Sequence, residues 1–240
     1  MLRIAMTAAI SLLLIVAATT DARAQNLGGV FPPMPGSKEL EYRFAVRPGE
    51  GAAPAMFAHR LHYQQNVAER LLVRGIAVVS HAEATGPQFN YAQAELFWDV
   101  GPSQGPWRTA LRFDARISEG SAPEQFAVNW ANEFRFTDSV RARFNVLMTK
   151  QVGDLAVDGI LIETRSNLFK QTSTGFAFGV ESYNVHGSTA AFDLYGGRQQ
   201  IGPFAFIPLG GDFTAFAGAL FGANGASPDV DVRFWLRKNF

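Results

Sequence analysis

The chain has no cysteine. That excludes disulfides, thiolate metal sites and a lipidated cysteine anchor. After the first two dozen residues no stretch approaches the ~20 apolar residues that a membrane helix needs. Any contact with a membrane must then be made by a closed barrel or by the surface. There is no strong charge of one sign, with 21 basic and 21 acidic residues, which argues against a nucleic-acid partner. Lysine is scarce: only four of the basic residues are Lys and the rest are Arg. Solvated surfaces usually carry Lys, whereas Arg suits places where guanidinium groups are packed, stacked or paired with carboxylates. G-x-S-x-G, H-E-x-x-H, P-loop and dinucleotide fingerprints are all missing, which removes the commonest motif-bearing enzyme classes.

What is present begins with an N-terminus of secretory type. Arg3 supplies a positive charge, Ile10 to Ala18 is apolar apart from Ser11, and Ala22-Arg23-Ala24 is a small-x-small cleavage site. Residues 1–24 are expected to be a cleavable signal peptide, with Gln25 as the first mature residue. Its removal leaves 19 basic and 20 acidic residues. Residues 25–37 are rich in Pro and Gly (Gly28-Gly29, Pro32-Pro33, Pro35-Gly36) and read as a flexible periplasmic lead-in. Residues 38–240 are long enough for one large all-β domain.

From Lys38 onward the period is two. Leu40, Tyr42, Phe44 and Val46 alternate with Glu39, Glu41, Arg43 and Arg47. Trp107, Thr109, Leu111, Phe113, Ala115 and Ile117 alternate with Arg108, Arg112, Asp114 and Arg116. Residues 126–136 and 140–148 repeat the pattern. Further strands are expected near 57–65, 70–80, 89–100, 155–166, 174–184, 198–208, 212–222 and 230–240, with 155–166 blurred by the unbroken run Ile160-Leu161-Ile162. About twelve strands result, each near the ~10 residues of a tilted membrane strand. Tight connections (66–69, 137–139, 210–212) alternate with longer Gly-, Ala-, Pro- and Ser-rich ones (48–55, 82–88, 118–124, 184–197, 222–228). The connections at 100–106 and 152–155 break that alternation, the first too long and the second too short. The order suggests an up-and-down meander.

In the last strand Val230, Val232, Phe234 and Leu236 share one face, a parity that runs on to Phe240, while Asp229, Asp231, Arg233 and Arg237 share the other. A strand closed by a free C-terminal Phe resembles the final strand of Gram-negative outer-membrane β-barrels. Gln200-Ile201-Gly202-Pro203, followed by a hairpin and the Phe-terminated strand, is similar to the end of uncharacterised proteobacterial envelope barrels. The resemblance implies a cell outer membrane location, lipid as surroundings, and Phe240 as the signal read by the barrel-insertion machinery. Lys238 departs from the pattern; at its parity it would point to lipid and snorkel to the interface.

Alternation alone does not say which face is outside. Three features put the aromatic face there. A barrel of about twelve strands is too wide for side chains to fill a dry core. Each Arg on a lipid-facing wall would cost ~2–4 kcal/mol near the midplane. The signal peptide and terminal Phe have no role in a cytosolic domain. Glu41, Arg43, Arg60, Arg74, Glu95, Arg112, Asp114, Arg116, Glu133, Arg135, Arg141, Arg143, Asp231 and Arg233 are therefore expected to line a lumen. This makes either a charged constriction for small solutes or a salt-bridged filling of a structural envelope barrel.

Two other readings stay open. His186-Gly187-Ser188 with Gln200 resembles the His-x-Ser arrangement of outer-membrane phospholipases and lipid A deacylases, in which His activates Ser and a polar partner orients the imidazole. Thr189-Ala190 follows where those families carry Asn, and the sequence places His186 in a loop. The other reading is a secreted soluble barrel holding a hydrophobic ligand. His59 and His62 have odd spacing and fall on opposite strand faces, so they form no metal pair. No cofactor or metal is implied, and the oligomeric state is not legible.

Overall fold

The computed structural model describes residues 37–102 and 105–240. The expected signal peptide, its cleavage site and all of the lead-in except Ser37 lie outside the described residues. Thirteen strands follow in order: β1 (Lys38–Arg47), β2 (Met56–Ala68), β3 (Leu71–Ala82), β4 (Gln88–Asp99), β5 (Trp107–Ser118), β6 (Glu124–Arg135), β7 (Val140–Val152), β8 (Leu161–Gln171), β9 (Ala177–Ser188), a two-residue β10 (Ala191–Phe192), β11 (Gln199–Gly210), β12 (Phe213–Gly222) and β13 (Val230–Asn239). Each of the long strands pairs antiparallel with the next, β9 passes on to β11, and β13 returns to β1. The result is a closed, twelve-stranded up-and-down barrel. Closure pairs both edges of each of the twelve long strands, which backbone in a bilayer requires.

The period of two sorts the side chains between the walls. Leu61, Phe113, Val128, Trp130, Phe144 and Phe234 face outward and are exposed. Glu41, Arg43, Arg60, Arg74, Glu95, Glu133 and Arg233 face inward and are buried. A soluble barrel would show the reverse, so the reading as a soluble carrier of a hydrophobic ligand is overturned by these two walls. All four lysines share the outward parity. Lys38, Lys150, Lys170 and Lys238 each sit within two residues of a strand end, where a long stem lets the ammonium leave the apolar band. The Lys238 ammonium also lies 5.4 Å from the Phe213 ring centre and 4.9 Å from that of Phe240.

The start of β1 and the end of β13 meet at one rim, where the Phe240 amide donates to the Lys38 carbonyl (3.0 Å). That rim carries the connections 69–70, 100–106, 136–139, 172–176 and 211–212; the opposite rim carries 48–55, 83–87, 119–123, 153–160, 189–198 and 223–229. The expectation of a strand at 155–166 is corrected: β8 starts at Leu161, and 153–160 is a long-loop connection of the ordinary kind. The apolar run at 160–162 obscured a strand start and a bulge, since the register slips between Leu161 and Glu163. The connection at 100–106 is genuinely long for its rim. Its first residues fold back on β5, where the amides of Val100 and Gly101 both donate to the Thr109 carbonyl (3.2 and 2.9 Å). A Cβ at Gly101 would stand 2.7 Å from the Thr109 nitrogen.

Candidate functional site

The interior is charged at mid-height and organised around single carboxylates shared by several guanidinium groups. Glu95 on β4 takes a hydrogen bond from Arg74 (3.0 Å) on β3 and another from Gln93 (2.6 Å). Arg60 on β2 and Arg112 on β5 each approach it to 3.9 Å. Arg112 forks onto Asp114 with two bonds of 2.8 Å, the strong bidentate form of this pair. Asn129 on β6 donates to the same carboxylate (2.7 Å). Arg116 reaches Gln93 (2.9 Å).

A second cluster closes the seam between β1 and β13. Glu41 accepts from Arg43 and from Arg237 (3.0 Å), with His62 Nδ1 at 3.4 Å. A third surrounds Glu133, which faces Arg143 (2.9 Å), Arg135 (3.3 Å) and Arg141 (4.0 Å). Of the expected interior residues Arg135 stands apart, its side chain 40% exposed at the short-turn rim. Arg233 pairs with Glu181, and Asp231 with Arg47 (2.9 Å).

The Glu95 and Asp114 cluster borders an interior cavity of about 40 Å³, room for a few waters. Six arginines line it (Arg43, Arg60, Arg74, Arg112, Arg116 and Arg165) against three carboxylates, those of Glu95, Asp114 and Glu163. Arg165 and Glu163 lie on β8, where the misplaced strand start hid their parity. Arg108, paired with Asp99 at 2.6 Å, and Arg237 were legible from alternation with their neighbours.

One side of the interior is not polar. Phe169, Phe204, Phe216 and Trp235 are buried inside the barrel, with Phe206 packed against them. Phe216 and Trp235 stack at 3.6 Å and 5°. This corrects the expectation that the aromatic residues form a single outer wall. β11 and β12 are built almost wholly of Phe, Ala, Gly, Ile, Leu and Pro, so no charge marks which of their faces turns in. Arginines cap the cluster: Arg43 lies 4.4 Å over Trp235 and Arg143 4.9 Å over Phe169. These are cation–π distances.

His186 is not in a loop but in β9, buried with Ser188 near the long-loop rim. Gly187 between them has φ +79°, a conformation that Gly adopts without penalty, which is why the stretch reads as loop. His186 Nε2 meets the Thr164 hydroxyl (2.8 Å) and Nδ1 the Leu194 carbonyl (2.9 Å). Gln200 donates to Asp231 (2.8 Å). Neither the imidazole nor the amide is bonded to Ser188, whose oxygen accepts from the Ala190 amide (3.3 Å). On the outer wall His59 accompanies Tyr42 (2.7 Å) and stacks on His81, while His62 faces in.

No family model matches the chain, and no curated protein matches it in sequence. Solved structures do share its fold. The KdgM porin in complex with disordered oligogalacturonate superposes with a TM-score of 0.63 at 8% identity, over 84% of this chain and 99% of that one. The NanC porin gives 0.59 at 10% identity, over 82% and 97%. The closed barrel, its apolar exterior and its charged interior define a twelve-stranded transmembrane β-barrel, and what it shares with these structures is that fold.

Proposed function

We propose that the chain is a small-solute channel of the outer membrane whose waist favours anions. The observation that carries this reading is the surplus of guanidinium over carboxylate around the narrow cavity. In a confined space of low dielectric such a surplus raises the local concentration of anions and hinders cations. Buried polar atoms with no protein partner, among them His62 Nε2 and Asn129 Oδ1, favour a hydrated interior, since such atoms need water or solute. A carboxylated saccharide, the ligand class named for KdgM, is the first solute to test. In this reading the short-turn rim, where β1 begins and β13 ends, faces the periplasm, the long loops face outside, and Phe240 addresses the insertion machinery.

Planar-bilayer recording in a salt gradient tests the proposal. A reversal potential of anionic sign is expected; a cation-selective pore would overturn it. A second reading, a structural barrel filled by its own ion pairs, is favoured by the small volume of the waist. It requires a heat-modifiable, folded barrel with no conductance. The hydrolase reading has little support from the partners of His186.

A further inference from the structure

The outer wall is not evenly rounded. On the β3 to β7 side lies an open concavity of about 1030 Å³, floored by Ala94 and Ala115 and walled by Leu96, Phe113, Phe126 and Met148. Register sets a track of small residues there: Gly75, just beyond the concavity, pairs with Ala94 and Ala94 with Ala115; the Phe126 side chain stands next in the row, with Lys150 as its partner beyond. Counted along the strands, the track climbs from mid-barrel at Gly75 to the long-loop rim at Lys150. Lys150 is the one lysine at that rim; the other three stand at the opposite one. Its ammonium donates to the Gly159 carbonyl (3.3 Å), and among the described residues no carboxylate pairs with it. An ammonium has three donors, so two remain for an anion.

We propose that this groove seats a phosphorylated, acylated lipid of the outer leaflet, one acyl chain along Gly75, Ala94 and Ala115 and the phosphate on Lys150. A chain held in a matching groove keeps dispersion contacts on several sides at once, which a flat wall does not offer. The rim cation supplies the charge complementarity that selects an anionic headgroup. The inference rests on the long-loop rim facing outward in the membrane reading above.

The groove is testable because it is open. A Cβ at Gly75 would meet nothing within 4 Å, so Gly75→Phe and Ala94→Phe fill the track while leaving the interior alone. Full-length protein is folded into phosphatidylcholine vesicles doped with phosphorylated lipid A, extracted, and its retained lipid weighed by native mass spectrometry. Wild type is expected to retain the phosphorylated lipid above its bulk fraction. Lys150→Gln should reduce that retention about tenfold, the weight of one charge-assisted hydrogen bond, and the Phe variants should abolish it. Lys238→Gln, at the other rim, should retain the lipid like wild type. Equal retention by wild type, Lys150→Gln and Ala94→Phe would overturn the proposal, as would a wild-type dimer that Ala94→Phe splits, since a second copy would then fill the groove. Heat-modifiable migration of every variant reports insertion separately, so loss of the membrane reading itself is distinguishable.

Discussion

Arg43 lies over Trp235, 4.4 Å from the ring centre, across the seam where the first strand hydrogen-bonds to the last. The two residues are direct register partners, and Trp235 is 1% exposed. One cation–π pair thus joins the guanidinium-rich waist to the aromatic cluster at the point where the barrel closes.

Trp235→Ala should destabilise the barrel by about 3–5 kcal/mol, the usual cost of a large aromatic-to-alanine cavity. The loss would appear as a lower urea midpoint for unfolding from vesicles. Trp235→Phe should recover much of it, because a ring still stacks on Phe216.

Arg112→Ala removes one of the six cations around the waist. The reversal potential should move toward cation preference. Arg141→Ala should move it less, because Arg141 lies nearer the short-turn rim and meets Glu133 only at 4.0 Å.

Glu95→Gln has the opposite sign. It leaves Arg60, Arg74 and Arg112 facing a neutral amide, so anion preference should rise. Stability should fall by about 3 kcal/mol, since a broken buried pair strands its partners. Bilayer recording and urea unfolding of one preparation check both.

Salt separates a charged waist from a merely narrow one. Raising ionic strength from ~0.1 to ~1 M shortens the Debye length from ~10 to ~3 Å. Anion preference measured at a fixed concentration ratio should decline steeply over that range. A preference independent of salt would assign selectivity to size alone.

Ser188→Ala and the wild type should be alike in assays of phospholipid or lipid A hydrolysis, both at the level of empty vesicles. His186 is engaged by Thr164 and Leu194, and among the described residues no imidazole or carboxylate is bonded to the serine. Release of fatty acid by the wild type, lost in Ser188→Ala, would restore the hydrolase.

The fold was legible where charge marked a face. Arg108, Arg112, Asp114 and Arg116 against Leu111, Phe113 and Ala115 set both the strand and the facing of β5. The same rule failed on β11 and β12, where Phe204, Phe206 and Phe216 have no charged neighbours in their strands. Parity alone does not tell a lipid-facing Phe from an interior one. Trp235 was readable, since it shares the parity of Arg233 and Arg237. Local irregularity hid the rest: the bulge at Leu161 and Glu163 moved one strand start, and the left-handed Gly187 disguised the end of another. The pairing of particular carboxylates with particular arginines depends on which strands become neighbours and in what register, which composition does not carry.

Because every lysine stands outside near a rim and the interior charge among the described residues is guanidinium and carboxylate, lysine chemistry is confined to the exterior. Amine-reactive dyes, biotin or surface linkers would decorate the collar of this protein and leave its inner electrostatics unaltered, so an immobilised or fluorescent form should pass current like the unlabelled one.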